Sequence, residues 1–271
     1  MPYFLTSDNV KIFYQITGQG KPIVFVHGWS ACHKHYQAQI DDFSSNYQVI
    51  AYDLRGHGLS EVSNYGLDMK TYARDLKEII DYLGLDDIVL VGWSMGVHIL
   101  YDYIQQFGCY KLKKLCTIDQ SPKFCTEEGW AYGLYLNYSY KDAMTDLGMI
   151  SSDWPAFADA LVPALFSKET KHPREEISWY YEKAHDNSVD VMVRMWLAMA
   201  LTDYRDVLET ITVPTLVTCG KEGFGHRVVT HEYQVGKIPD ARLVAFDHCG
   251  HMPFVEDAER FNAELKAFIE E

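Results

Sequence analysis

No stretch of this chain approaches eighteen uninterrupted apolar residues, the length a membrane-crossing helix needs. Nor does Met1 to Gly20 hold the basic-then-apolar region of a secretory leader. These absences make the cytoplasm the expected location. Basic residues are scarce: 24 Lys and Arg stand against 38 Asp and Glu, a formal charge of −14. That balance excludes nucleic acid and anionic membrane surfaces as partners. The six cysteines are scattered with no Cys-x-x-Cys pair, which argues against a disulfide framework and predicts reduced thiols. No internal repeat and no low-complexity tract is present. What remains is a chain of 271 residues, 48% apolar, long enough for one sizeable core with an inserted segment.

The apolar residues fall into short runs separated by helical spacing. Tyr3–Leu5 and Val10–Gln15 alternate around a polar turn and predict an opening hairpin. Ile23–Val26, Val49–Tyr52, Ile88–Val91, Leu115–Ile118, Val213–Thr218 and Arg242–Phe246 predict buried strands, too short and too apolar for surface helices. His35–Phe43, Asp68–Leu83, Met95–Phe107 and Ala258–Ile269 carry apolar residues at helical spacing. Strand–helix alternation predicts an α/β fold with a mostly parallel sheet covered on both faces. The alternation lapses from Pro122 to about Arg205, where short helical pieces are rich in Trp and Tyr. The expected organisation is therefore a core from residues 1–121 and 206–271 with a helical cap at 122–205.

Within Ile88 to Val97 a strand becomes a helix in three or four residues, and Ser94 sits at the corner between Gly92 and Gly96. Such a reversal lifts the serine hydroxyl out of the sheet beside a helix N-terminus, where free N–H groups favour negative charge. A serine hydroxyl attacks only when a base takes its proton and a third group orients that base. Among eleven histidines, His251 stands just after the last strand, in Gly250-His251-Met252-Pro253 before the final helix.

His27-Gly28-Trp29, Asp53-x-Arg55-Gly56-x-Gly58-x-Ser60, Gly92-Trp93-Ser94-Met95-Gly96 and Gly250-His251-x-Pro253-x-x-Glu256 occur in an order and spacing that resemble the α/β-hydrolase superfamily. The resemblance covers nearly all of the chain outside the 122–205 segment. It implies an α/β-hydrolase fold with Ser94 as nucleophile and His251 as base. It also implies an oxyanion hole from the backbone N–H groups of Trp29 and Met95. The acid departs from the family pattern, because Gly223 stands where relatives usually place Asp. Asp119 and Glu222 are the two replacements. Asp119 ends a buried strand beside the site, a position some relatives use, among them certain haloalkane dehalogenases. Glu222 lies in a solvated Gly-rich loop. A buried carboxylate needs a partner such as a histidinium, which favours Asp119.

Other polar residues carry less. His57 is expected to be architectural. His33 with His35, and His226 with His231, lack accompanying ligands at metal spacing and are expected to be solvated; neither metal nor cofactor is expected. The aromatic cap suggests a small-molecule ester with an apolar acyl or alkyl group. The expected activity is carboxylic ester hydrolysis through an acyl-enzyme, by a monomer or homodimer. Carbon–carbon bond hydrolysis by the same residues is an alternative, as are perhydrolysis or acyl transfer, and so is a catalytically silent ligand receptor. The Trp93 and Trp29 contexts are also similar to the pimeloyl-carrier-protein methyl ester esterases. An acidic carrier would want a basic face, yet the 122–205 segment has more acid than base. Lys168, Lys171 and Arg174 form its tight basic group.

Overall fold

The computed structural model describes residues 2–170, 172–222, 225 and 227–271. Its elements run β1 Tyr3–Leu5, β2 Lys11–Thr17, β3 Pro22–Val26, α1 Gln37–Phe43, β4 Gln48–Tyr52, α2 Met69–Tyr82, β5 Ile88–Trp93, α3 Met95–Phe107 and β6 Leu112–Ile118. There follow α4 Tyr140–Ser152, α5 Trp154–Ala164, α6 Ser178–His185 and α7 Val189–Ala200. The chain then closes with β7 Thr215–Gly220, α8 Val228–Lys237, β8 Ala241–Phe246, α9 Pro253–Glu256 and α10 Ala258–Glu270.

The eight strands form one sheet in the order β1-β2-β4-β3-β5-β6-β7-β8. The opening hairpin is antiparallel, β2 joins β4 antiparallel, and every later pairing is parallel. Parallel strands need crossovers, and the helices of those crossovers cover both faces. This is why β5 is buried along its whole length and reads as a continuous apolar run. The helix expected over His35–Phe43 begins as a 3₁₀ turn at His33–Tyr36 and becomes α only from Gln37. The helix α8, between β7 and β8, is one that apolar spacing does not announce.

Register brings three strand ends level. Val26 of β3 lies opposite Gly92 of β5, and Trp93 of β5 lies opposite Ile118 of β6. The next residues along each strand, the His27-Gly28-Trp29 loop, Ser94 and Asp119, therefore emerge side by side at the carboxyl edge of the sheet. Ligands bind at that edge in open α/β sheets. Two backbone bonds continue the ladder past the strand ends, from Ser94 N–H to Ile118 O at 3.0 Å and from Asp119 N–H to Thr218 O at 2.8 Å.

Between β6 and β7 the described residues contain α4–α7 and no strand, only an isolated bridge between Lys123 and Asp203 and another between Glu127 and Trp130. These helices lie over the carboxyl edge through α7, whose Met192, Met195, Trp196 and Met199 are buried. The Trp29 indole N–H donates to Met192 O at 3.1 Å, and its ring meets those of Trp154 and Trp196. Among the described residues no helix is long and apolar enough to cross a membrane.

Candidate active site

Ser94 holds φ 54° and ψ −123°, a conformation that costs an L-residue strain and persists only where its surroundings enforce it. The enforcement is steric. A Cβ on Gly96 would stand 2.3 Å from Val26 O, and one on Gly92 would stand 2.8 Å from the Leu100 side chain. Only glycines at both places let β5 and α3 close this tightly around the serine. Ser94 lines a cavity with Trp29, Trp93, Trp196, Gln120 and His251.

His251 reaches that cavity on the loop between β8 and α9. The Trp93 indole N–H donates to His251 O at 2.9 Å, and the His251 N–H donates to Leu165 O at 2.7 Å. Glu256 pins the same loop. Its carboxylate accepts from Gly250 N–H at 2.6 Å and from Ser167 N–H at 2.7 Å. Burial pushes the Glu256 carboxyl up, while those two N–H bonds oppose the rise. The role of the Gly-His-x-Pro-x-x-Glu pattern is thus to tie the His251 loop to itself and to the segment after α5.

The structure brings Asp119 and not Glu222 to His251. The His251 Nδ1 lies 2.7 Å from Asp119 Oδ2, with Asp119 fully buried. Glu222 is exposed, and its backbone N–H donates to Cys249 O. Gly223, the position where relatives carry the acid, lies outside the described residues. Asp119 makes a second contact that sequence reasoning misses: its Oδ1 lies 2.9 Å from His231 Nε2 on α8. Burial alone would raise the Asp119 carboxyl, but the bonds from His231 and His251 outweigh it and hold the group down at about 2. Asp119 is therefore a carboxylate at neutral pH. The one signal for His231 is its i, i+3 spacing from Gln234, both buried on α8.

Trp29 follows β3 and lines the cavity with Ser94, and Met95 opens α3 directly after Ser94. Neither backbone N–H donates to a partner among the described residues, and both residues are buried. The Trp29 loop is held from below by His27, whose ring accepts Leu54 N–H at Nε2 and donates from Nδ1 to Gly28 O at 2.8 Å. Burial keeps that imidazole neutral, down at about 3. Two backbone donors that converge near a serine oxygen can stabilise a developing oxyanion.

Several histidines expected in solvent are not there. His33 is buried and bonds Asp53 Oδ1 through both its backbone N–H and Nδ1, at 2.7 and 2.8 Å. His35 and His231 are buried too, while His226 and Lys171 lie outside the described residues. The physical reason is pairing: a carboxylate from another element waits for His33 and for His231, which spacing along the chain does not reveal. Cys32, His33 and Asp53 form the one cluster of possible metal ligands among the described residues. Both Asp53 oxygens are already taken by N–H donors, and burial pushes the Cys32 thiol up to about 12. His57 is architectural, buried beneath the turn with its Nδ1 on Arg55 O. Arg55 itself bonds Asp75 and Asp8 from the core side.

The cavity at Ser94 is small, about 40 Å³, and mostly apolar, with Phe124, Leu134, Leu161, Leu165 and Met199 completing its wall. Leu134, Leu161 and Trp196 also line a second cavity of about 160 Å³, which Tyr135, Phe157, Ala160 and Asp146 complete. These three side chains therefore form a partition between an inner chamber and an outer one.

Comparison with known proteins gives the family of the chain. The model of the "Alpha/beta hydrolase family" matches residues 23–264. A non-heme chloroperoxidase, CPO-A1, of Kitasatospora aureofaciens is 30% identical, over 99% of each chain. A pimeloyl-[acyl-carrier protein] methyl ester esterase of Vibrio campbellii is 23% identical, over 96% of this chain and 99% of its own. Among solved structures, the esterase EaEST of Exiguobacterium antarcticum superposes with a TM-score of 0.93 at 27% identity, over 99% of both chains.

Proposed function

The chain belongs to the alpha/beta hydrolase family, and from that premise we propose that it is a serine esterase acting on carboxylic esters of small, largely apolar groups. The observation that carries this is the buried pair of Asp119 and His251, 2.7 Å apart, with His251 and the strained Ser94 sharing one apolar cavity. Ser94 Oγ attacks the ester carbonyl carbon while His251 Nε2 takes its proton. Asp119 accepts the Nδ1–H bond, fixes the tautomer and steadies the imidazolium that forms. The carbonyl oxygen becomes an oxyanion between the N–H groups of Trp29 and Met95. Collapse breaks the bond to the leaving oxygen, which takes the proton from His251 and departs as alcohol. Water then gives a proton to His251, attacks the acyl-enzyme and releases the acid, and Ser94 recovers its proton.

Residues 122–205 act as a cap, whose α5 and α7 residues decide which acyl group fits. A chamber of about 40 Å³ holds roughly three waters, so it suits a short acyl chain. The expected experiment is labelling with a fluorophosphonate probe, together with p-nitrophenyl butyrate turnover. Wild type labels and turns over; Ser94→Ala does neither. An unlabelled wild-type serine with no ester turnover would return the chain to the silent-receptor reading.

A further inference from the structure

Resting on the serine-esterase reading above, we infer that His231 is a positioning residue for the acid and base, held in one tautomer by Gln234 and Tyr101. The argument starts at Gln234, fully buried on α8. Its Nε2 lies 2.8 Å from Gln120 O, and a carbonyl oxygen accepts only from a donor, so this end of the amide is the NH₂. Its Oε1 therefore faces Tyr101 and accepts the phenol O–H at 2.5 Å. The same NH₂ lies 3.2 Å from His231 Nδ1, which is then the acceptor nitrogen. The ring proton of a neutral His231 must reside on Nε2, and Nε2 points at Asp119 Oδ1. A chain of hydrogen bonds thus runs from α3 through α8 to the end of β6, with every member buried.

The consequence falls on the carboxylate. Asp119 presents two oxygens in a fully buried place, and each is assigned: Oδ1 to His231, Oδ2 to His251. With Oδ1 satisfied, the carboxylate keeps one orientation, and Oδ2 stays aimed at Nδ1 of the base. Without the His231 donor, Oδ1 is left as a buried oxygen short of a bond, which is costly for a charge. The carboxylate then turns or takes a proton, and its grip on His251 loosens. The titratable groups facing Asp119 among the described residues are His231 from α8, His251 from the β8–α9 loop and the Cys219 thiol of β7. Burial keeps that thiol protonated.

The test measures p-nitrophenyl butyrate hydrolysis against pH for His231→Leu, His231→Gln and Gln234→Met, with Ser94→Ala alongside. For His231→Leu, kcat at pH 7 falls about tenfold or more while KM stays within about twofold. The acid limb of kcat/KM moves up by about one pH unit, because Asp119, short of its Oδ1 donor, takes a proton at a higher pH and once protonated no longer steadies His251. His231→Gln, whose amide N–H reaches toward the same oxygen, recovers most of the rate and returns the limb. Gln234→Met leaves His231 in place without its tautomer-setting partner, so its limb moves the same way by less. It carries the test if His231→Leu does not fold. A loss that is equal at every pH, or no loss in both the His231→Leu and Gln234→Met variants, overturns the inference. If Ser94→Ala keeps wild-type turnover, it is the esterase reading that fails instead.

Discussion

The partition between the two chambers can be opened with one substitution. Leu161 sits on α5, and its side chain lines both the chamber at Ser94 and the outer cavity of about 160 Å³. Leu161→Ala joins them. In wild type an acyl chain longer than the inner chamber meets Leu161 and Leu134 and must displace them. In the variant it runs on into the outer cavity and buries further methylenes. Each buried methylene contributes about 0.8 kcal/mol, close to a fourfold gain in affinity. Four more methylenes thus add about 3 kcal/mol, a gain of about 200-fold for an octanoyl over a butyryl ester relative to wild type. The substitution costs stability, at the low end of the about 2–5 kcal/mol range, because the leucine already borders empty space. The assay is kcat/KM for p-nitrophenyl esters from acetyl to decanoyl on both proteins. An unchanged chain-length profile in Leu161→Ala would refute the idea that this side chain ends the acyl chamber.

Asp119→Asn is expected to lower kcat by about 10³-fold or more, by misplacing the His251 tautomer, while Glu222→Gln leaves turnover near wild type. Steady-state kinetics with p-nitrophenyl butyrate separate the two, and the opposite ranking moves the acid to Glu222. Gly96→Ala forces a methyl against Val26 O, so its soluble yield and melting temperature should both fall sharply; a well-folded variant would contradict the close approach described for this corner. His27, His35, His57 and His98 are all buried, and burial holds them down at about 3, 4, 4 and 4. Their folded values lie below the unfolded value of about 6.5, so the stability they contribute is full above pH 6.5 and is lost as pH falls toward 4. Each of them opposes folding below pH 6.5, because the unfolded chain takes up a proton that the buried ring refuses. Thermal melts between pH 7 and 5 should show a steep fall in melting temperature, and a flat profile would mean that these imidazoles accept protons inside the fold.

Sequence patterning reaches some of these features and stops short of others for physical reasons. Short apolar runs between helical stretches suffice for the strands, because parallel strands are buried on both faces and so carry few polar residues. Ser94 is legible because the corner demands glycine two residues to either side, and His251 because its loop carries a binding pattern completed by Glu256. Asp119 is only favoured over Glu222 in the sequence, as a carboxylate at a buried strand end that needs a partner. His231 does not follow, since α8 packs with Thr230, His231 and Gln234 inward and presents no apolar stripe. His33 was equally hidden, its partner Asp53 lying on another element twenty residues on. In both cases a buried polar group is explained by an acceptor that only the folded chain supplies.

The indole of Trp93 holds a carbonyl 158 residues further along, at His251. This tether has a meaning for synthesis as well as for the finished protein. On the serine-esterase reading, most of the sheet, with the serine corner, leaves the ribosome well before the imidazole proposed to activate it, so a chain halted in between carries the hydroxyl without its base. On that reading, activity waits for the last strand and the loop that follows it.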